Sequence, residues 1–259
     1  MSALGSPAAL DLRPAPGAAT PYRRVTAHAR TETRLLLRNG EQLLLALAIP
    51  IGILVLGRVL GGSFGSLAVL APSVLGLALW SSTFTSLAIA TGFERRYGVL
   101  ERLAATPLGR AGLLTGKALA VTAIAVGQVA VLALVSTALG WRPDWTAASL
   151  TVSIIGALLA AVSFGSLALL LAGRLRAEVT LALANVIYVV GLAAGGLLLP
   201  VTRYPAALQP WLELLPTAAL GEILRAGATG IVLLWPLLVL AVWSVAAGLA
   251  AWKGFRWTS

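Results

Sequence analysis

The chain has 259 residues, of which 59% are hydrophobic and 11% charged, with a mean hydropathy of +0.93 and a formal net charge of +10. A soluble domain carries charge on about a quarter of its residues, so this composition excludes one and specifies an integral membrane protein. Cysteine is absent, which excludes a disulfide framework, a thiolate metal site and a cysteine nucleophile, and the single histidine, His28, lies in a polar N-terminal region. Seventeen of the 19 basic residues are arginine, which with the wealth of Ala, Gly and Leu fits a high-GC bacterial genome.

Residues 1–21 carry four prolines and no apolar run. They read as a disordered tail without the apolar core of a signal peptide. Residues 22–39 set Arg23, Arg24, Arg30, Arg34 and Arg38 among Val25, Leu35, Leu36 and Leu37. The pattern predicts an interfacial helix on the cytoplasmic leaflet, with a plain positive topology anchor as the alternative. The remainder, 40–259, is the membrane domain.

Crossing about 30 Å of hydrocarbon takes about 20 helical residues, and six segments meet that demand: 41–60, 67–91, 113–139, 149–173, 180–199 and 230–252. In the first, Pro50 predicts a bend and Arg58 is placed to snorkel to the far interface. With the N-terminus inside, 15 basic residues fall on the cytoplasmic side against four outside. That asymmetry puts both termini in the cytoplasm and explains the net charge without nucleic acid. The second segment holds Trp80 and Phe84 within a hydroxyl-rich patch, Ser81 to Ser86, that either satisfies itself on helix carbonyls or lines a solute path.

Between the second and third segments, Phe93 to Lys117 packs five cations and two carboxylates into 25 residues. Phe93, Tyr97, Leu100 and Leu103 recur as a helical apolar stripe opposite Glu94, Arg95, Glu101 and Arg102, which predicts a short amphipathic helix at the membrane surface. Thr106-Pro107 stops it. A solvated loop whose arginines only fix topology is the bland alternative.

The order of residues there, E-R-R-Y-G-V-L-E-R-L-A-A-T-P-L-G-R followed by a Gly-Lys at the mouth of the next helix, resembles the signature of ABC-2 type transporter permeases, the membrane subunits of ATP-driven exporters. The resemblance implies an all-α integral membrane fold of six transmembrane helices with an N-terminal interfacial helix, a cytoplasmic coupling helix and an outer re-entrant helical hairpin. It implies that Glu94, Arg95, Arg96, Tyr97, Glu101, Arg102, Thr106, Pro107, Arg110 and Lys117 dock on an ATPase. It further implies two ABC ATPase subunits per complex, a second permease copy or a homologous one, and contact with membrane lipid in a bacterial inner membrane. Cofactors are expected to be none on this chain, with ATP and Mg on the partner ATPase.

Residues 111–118 superficially match a phosphate-binding loop, yet Ala111 replaces its first glycine and Ala118 its hydroxyl residue, so the chain is not expected to be an enzyme. No catalytic or metal site is read. In the fifth segment Gly191, Gly195 and Gly196 permit close helix approach, either within one subunit or, as the resemblance implies for the first and fifth helices, between two. Asn185 and Tyr188 share a face there and either meet substrate or, for Asn185, form an interhelical hydrogen bond.

From Pro200 to Thr229, apolar stretches of about ten residues are separated by Pro205, Pro210 and Pro216. These are too short to span and read as re-entrant or interfacial helices on the outer side. Glu213, Glu222 and Arg225 are costly in lipid and face water or each other, as a gate or as a surface ion pair. The function expected is export of a hydrophobic or amphipathic solute, such as a drug, antibiotic or lipid. A secondary transporter or intramembrane enzyme is the alternative, weakened because no Asp or Glu lies well inside a span and no histidine lies in one.

Overall fold

A computed structural model describes residues 17, 19–38, 40–61 and 66–257, with the backbone alone for 41–43 and 45. The predicted tail over 1–21 lies outside the described residues apart from 17 and 19–21. The chain is helical in the order α1 Pro21–Arg38, α2 Gly40–Leu60, α3 Leu67–Trp80, a π-helical segment Ser81–Ser86, α4 Leu87–Arg96, α5 Val99–Ala104, α6 Gly109–Ala138, α7 Ala147–Arg174, α8 Ala177–Ala194, α9 Gln209–Leu212, α10 Pro216–Gly227 and α11 Trp235–Gly254. No strand occurs among the described residues.

Among the described residues, five helices are long and apolar enough to cross a membrane: Leu67–Arg96, which runs through the π segment, then α6, α7, α8 and α11. The predicted segment 41–60 forms α2 around Pro50, but its described apolar stretch, Ala46–Leu60, is shorter. α2 as a whole, Gly40–Leu60, has 21 residues and at 1.5 Å per residue reaches about 31 Å, close to the thickness of the hydrocarbon. Arg58 at its end donates Nε to the Leu139 carbonyl at 3.2 Å. The predicted segment 180–199 stops at Ala194, because Gly195 caps α8 and Gly196 turns the chain at φ +69°.

Helices in lipid gain little from hydrophobic exclusion and hold together by close packing and buried hydrogen bonds. Here α7 runs against α11, α4 and α10, and α1 lies along α6. The core centres on Trp80, whose ring lies 6.2 Å from Phe84, 6.1 Å from Phe164 and 5.3 Å from Tyr188. Gly191 makes room for that ring, since a Cβ there would meet Trp80 at 2.1 Å. α10 is buried among α3, α7 and α11 along most of its length.

Candidate functional site

The segment read as one amphipathic helix is broken in two. α4 ends at Arg96, Gly98 takes φ +67°, and α5 starts again at Val99. A left-handed residue costs a Cβ-bearing side chain about 1 kcal/mol, which is why the turn falls on glycine. The break corrects the predicted stripe: Leu100 is fully buried, whereas Tyr97 is 63% exposed. Glu101 and Arg102 stand outward on α5, and Arg102 Nη2 donates to the Tyr97 carbonyl at 3.3 Å. Thr106 Oγ1 donates to Leu103 O at 2.6 Å and accepts from Leu108 N at 3.3 Å, closing the turn at exposed Pro107, whose carbonyl accepts from Arg24 of α1.

Of the other predicted docking groups, Arg96 and Arg110 are exposed, whereas Glu94, Arg95 and Lys117 are partly or wholly buried. Arg95 is buried and donates Nη2 to Leu175 O at 2.8 Å and Nη1 to Arg256 O at 3.5 Å, while Arg96 pairs with Glu178. Lys117 is only 3% exposed, and its Nζ lies 2.7 Å from Glu94 Oε1 and 3.1 Å from Glu32 Oε2. One ammonium thus joins three elements, α1, α4 and α6. The close approach of α1 depends on Gly116, where a Cβ would stand 2.6 Å from His28 Cδ2. His28 lies 3.8 Å from Glu32, and burial holds its imidazole below the usual histidine range; Glu32 opposes the shift and Lys117 adds to it.

This cluster closes one end of a cavity of about 380 Å³ walled by α1, α2, the π segment, α4 and α6. Glu32, Glu94 and Lys117 line that end; Ser82, Ser86 and Gln128 line the cavity with Leu36, Leu87 and Val121. Along α6, Lys117 and Gln128 are about 16 Å apart. Gln128 is tied at both ends of its amide, accepting from Ser82 Oγ at 2.6 Å and donating to Ala46 O at 2.6 Å. Of the hydroxyl patch, Thr83 turns back to its own helix at Leu79 O, 2.7 Å away, while Ser82 and Ser86 reach the cavity. The π segment widens the helix at this point, a feature concentrated at functional sites.

A model of the ABC-2 type transporter family matches residues 24–229, from α1 through α10. The chain belongs to the ABC-2 type transporter family. It is therefore a multi-pass permease of an ABC transporter, and its general kind of partner is an ABC ATPase subunit. No curated protein matches it.

The remaining predicted residues of this ABC-2 permease do not come together in one site. Trp80 and Phe84 are buried and line an apolar groove of about 330 Å³ beside Val190 and Gly191, with half-buried Tyr188 against the Trp80 ring. Among the described residues Asn185 makes no interhelical bond; it is exposed and donates to Leu181 O of its own helix at 2.8 Å. Glu213 is exposed at the end of α9, apart from Glu222 and Arg225. Those two do pair, at 2.8 Å, but not on a surface: Arg225 is 8% exposed and holds three further partners.

Sequence reading missed Glu32 and Gln128. A lone glutamine within a 30-residue apolar helix was a usable signal, because an unpaired amide in hydrocarbon is costly. Glu32 gave none, being one charge among many on α1.

Proposed function

We propose that the chain is the membrane half of an ATP-driven exporter of a hydrophobic or amphipathic solute, set in a bacterial inner membrane with both termini cytoplasmic. The observation that supports this reading most strongly is the position of Glu94 and Lys117. They belong to the segment that carries the family signature, and they also line the end of the cavity where α1, α4 and α6 meet. A push on exposed α5 is received by buried Leu100 and passed across the Gly98 turn to α4. Glu94 then pulls on Lys117 and, through it, on α1 and α6, so ATPase movement changes the width of the cavity. An apolar wall with a few polar groups fits a solute with one polar end. The cation-rich ends of the helices face the cytoplasm, where two ATPase subunits supply ATP and Mg chemistry to a dimer of permeases.

The reading predicts separable effects. Glu101→Lys and Arg102→Glu change exposed charges, so each is expected to alter stability by less than about 0.5 kcal/mol. Both are expected to insert normally yet lose ATPase association or uncouple hydrolysis from transport. Co-purification with the ATPase and solute-stimulated hydrolysis in matched membranes measure this; variants that assemble, hydrolyse and export like the parent would defeat the proposal.

A further inference from the structure

A second hollow opens away from this cavity, between the start of α6, the last third of α7 and the end of α11. It holds about 360 Å³, within the range of small-ligand sites, and no carboxylate lines it. Small residues, among them Ala111, Ser166 and Gly248, line it together with Trp252 and Trp257. Arg110 lies at the same place, its guanidinium 5.2 Å from the centre of the Trp257 ring, and it makes no ion pair among the described residues. A cation over an indole face is oriented by the ring yet keeps its donors for another group.

We propose that this hollow binds one acyl chain of an anionic phospholipid from the leaflet at the cation-rich end of the bundle, with the lipid phosphate on Arg110. Three features of the site fit that occupant. The trough is apolar and faces outward from the bundle, with Trp252 80% exposed, as tryptophan at a lipid interface is placed. Its one charged lining residue is cationic, Arg110, and exposed Lys253 and Arg256 are next in sequence to the lining residues Trp252, Phe255 and Trp257. With Arg110 and no carboxylate in the lining, a head group of net negative charge is favoured over a zwitterion, whose ammonium is repelled. Arg110, read from sequence as an ATPase-docking residue, thereby serves the membrane, and the site holds whether or not the chain exports.

The test uses the full-length chain in a neutral detergent, titrated with dioleoylphosphatidylglycerol or dioleoylphosphatidylcholine, with retained lipid counted by native mass spectrometry and melting temperature followed in parallel. Phosphatidylglycerol is expected to bind more tightly and to raise the melting temperature. Arg110→Gln is expected to weaken it about fivefold, and Arg110→Lys to restore most of that loss. Gly248→Leu fills the trough from α11, where a Cβ meets only Ser166 Oγ at 3.9 Å, and is expected to abolish retention of both lipids. If that variant melts early in detergent alone, the Arg110 pair decides. Equal binding of the two lipids, an Arg110→Gln variant that binds like the parent, or full displacement by millimolar glycerol phosphate would each overturn the proposal.

Discussion

Lys117→Met is expected to lower the stability of the folded chain by about 3 kcal/mol, the low end of the cost of breaking a buried ion pair, because Glu94 and Glu32 keep some contact with solvent. The loss is not that of two hydrogen bonds. It arises because two carboxylates from different helices remain side by side, largely out of water, with no cation between them. Glu94→Lys is expected to fail for the converse reason, since it brings a second ammonium against Lys117. The control is Lys117→Met combined with Glu32→Gln and Glu94→Gln, which removes every charge and is expected to recover most of the stability. Thermal melting in one detergent measures all three. A single Lys117→Met variant that melts with the parent would show that the cluster does not brace α1, α4 and α6.

Arg225→Met is expected to cost as much or more, about 3–5 kcal/mol. From α10, Nη1 donates to Leu197 O at 2.7 Å and Ser73 Oγ at 2.9 Å, and Nη2 to Gly196 O at 2.9 Å and Glu222 Oε1 at 2.8 Å. Glu222 Oε1 also accepts from Val201 N at 3.1 Å. One planar guanidinium therefore ties the end of α8 to α3 and α10, and its loss strands two buried carbonyls and a carboxylate together. Lysine presents a compact charge without the fork, so Arg225→Lys is expected to recover little. Faster proteolysis between residues 195 and 205 and an earlier melt are the readouts. If Arg225→Lys matches the parent, the fork geometry is irrelevant and a bare charge suffices.

These two residues also show where sequence reading stops. The long apolar runs give the crossing helices to within a few residues, because hydrophobic length is a local property that lipid enforces. The Glu222 and Arg225 pair was readable from its spacing of three on one helix. Its burial was not, since that depends on α10 sinking against α3 and α7, which are distant in the chain, as well as α11. Lys117 and Glu32 are 85 residues apart, so no spacing rule joins them. Tyr97 was placed on the wrong face because one helical period was carried across Gly98; the glycine itself was the available warning. Gly191 was read as a helix-contact glycine, and it proves to seat the Trp80 ring within the same chain.

The central claim is that exposed α5 is where the ATPase meets the permease, and cross-linking tests it most directly. The chain has no cysteine, so Arg102→Cys and Arg142→Cys each introduce a single thiol, at exposed positions beyond opposite ends of α6. In vesicles holding the permease with its ATPase, a short thiol-to-amine cross-linker is expected to join the ATPase to the Arg102→Cys chain, with a yield that changes when ATP is added, and to leave the Arg142→Cys chain free. Cross-linking through position 142 and none through position 102, in complexes that still hydrolyse and transport, would contradict the account.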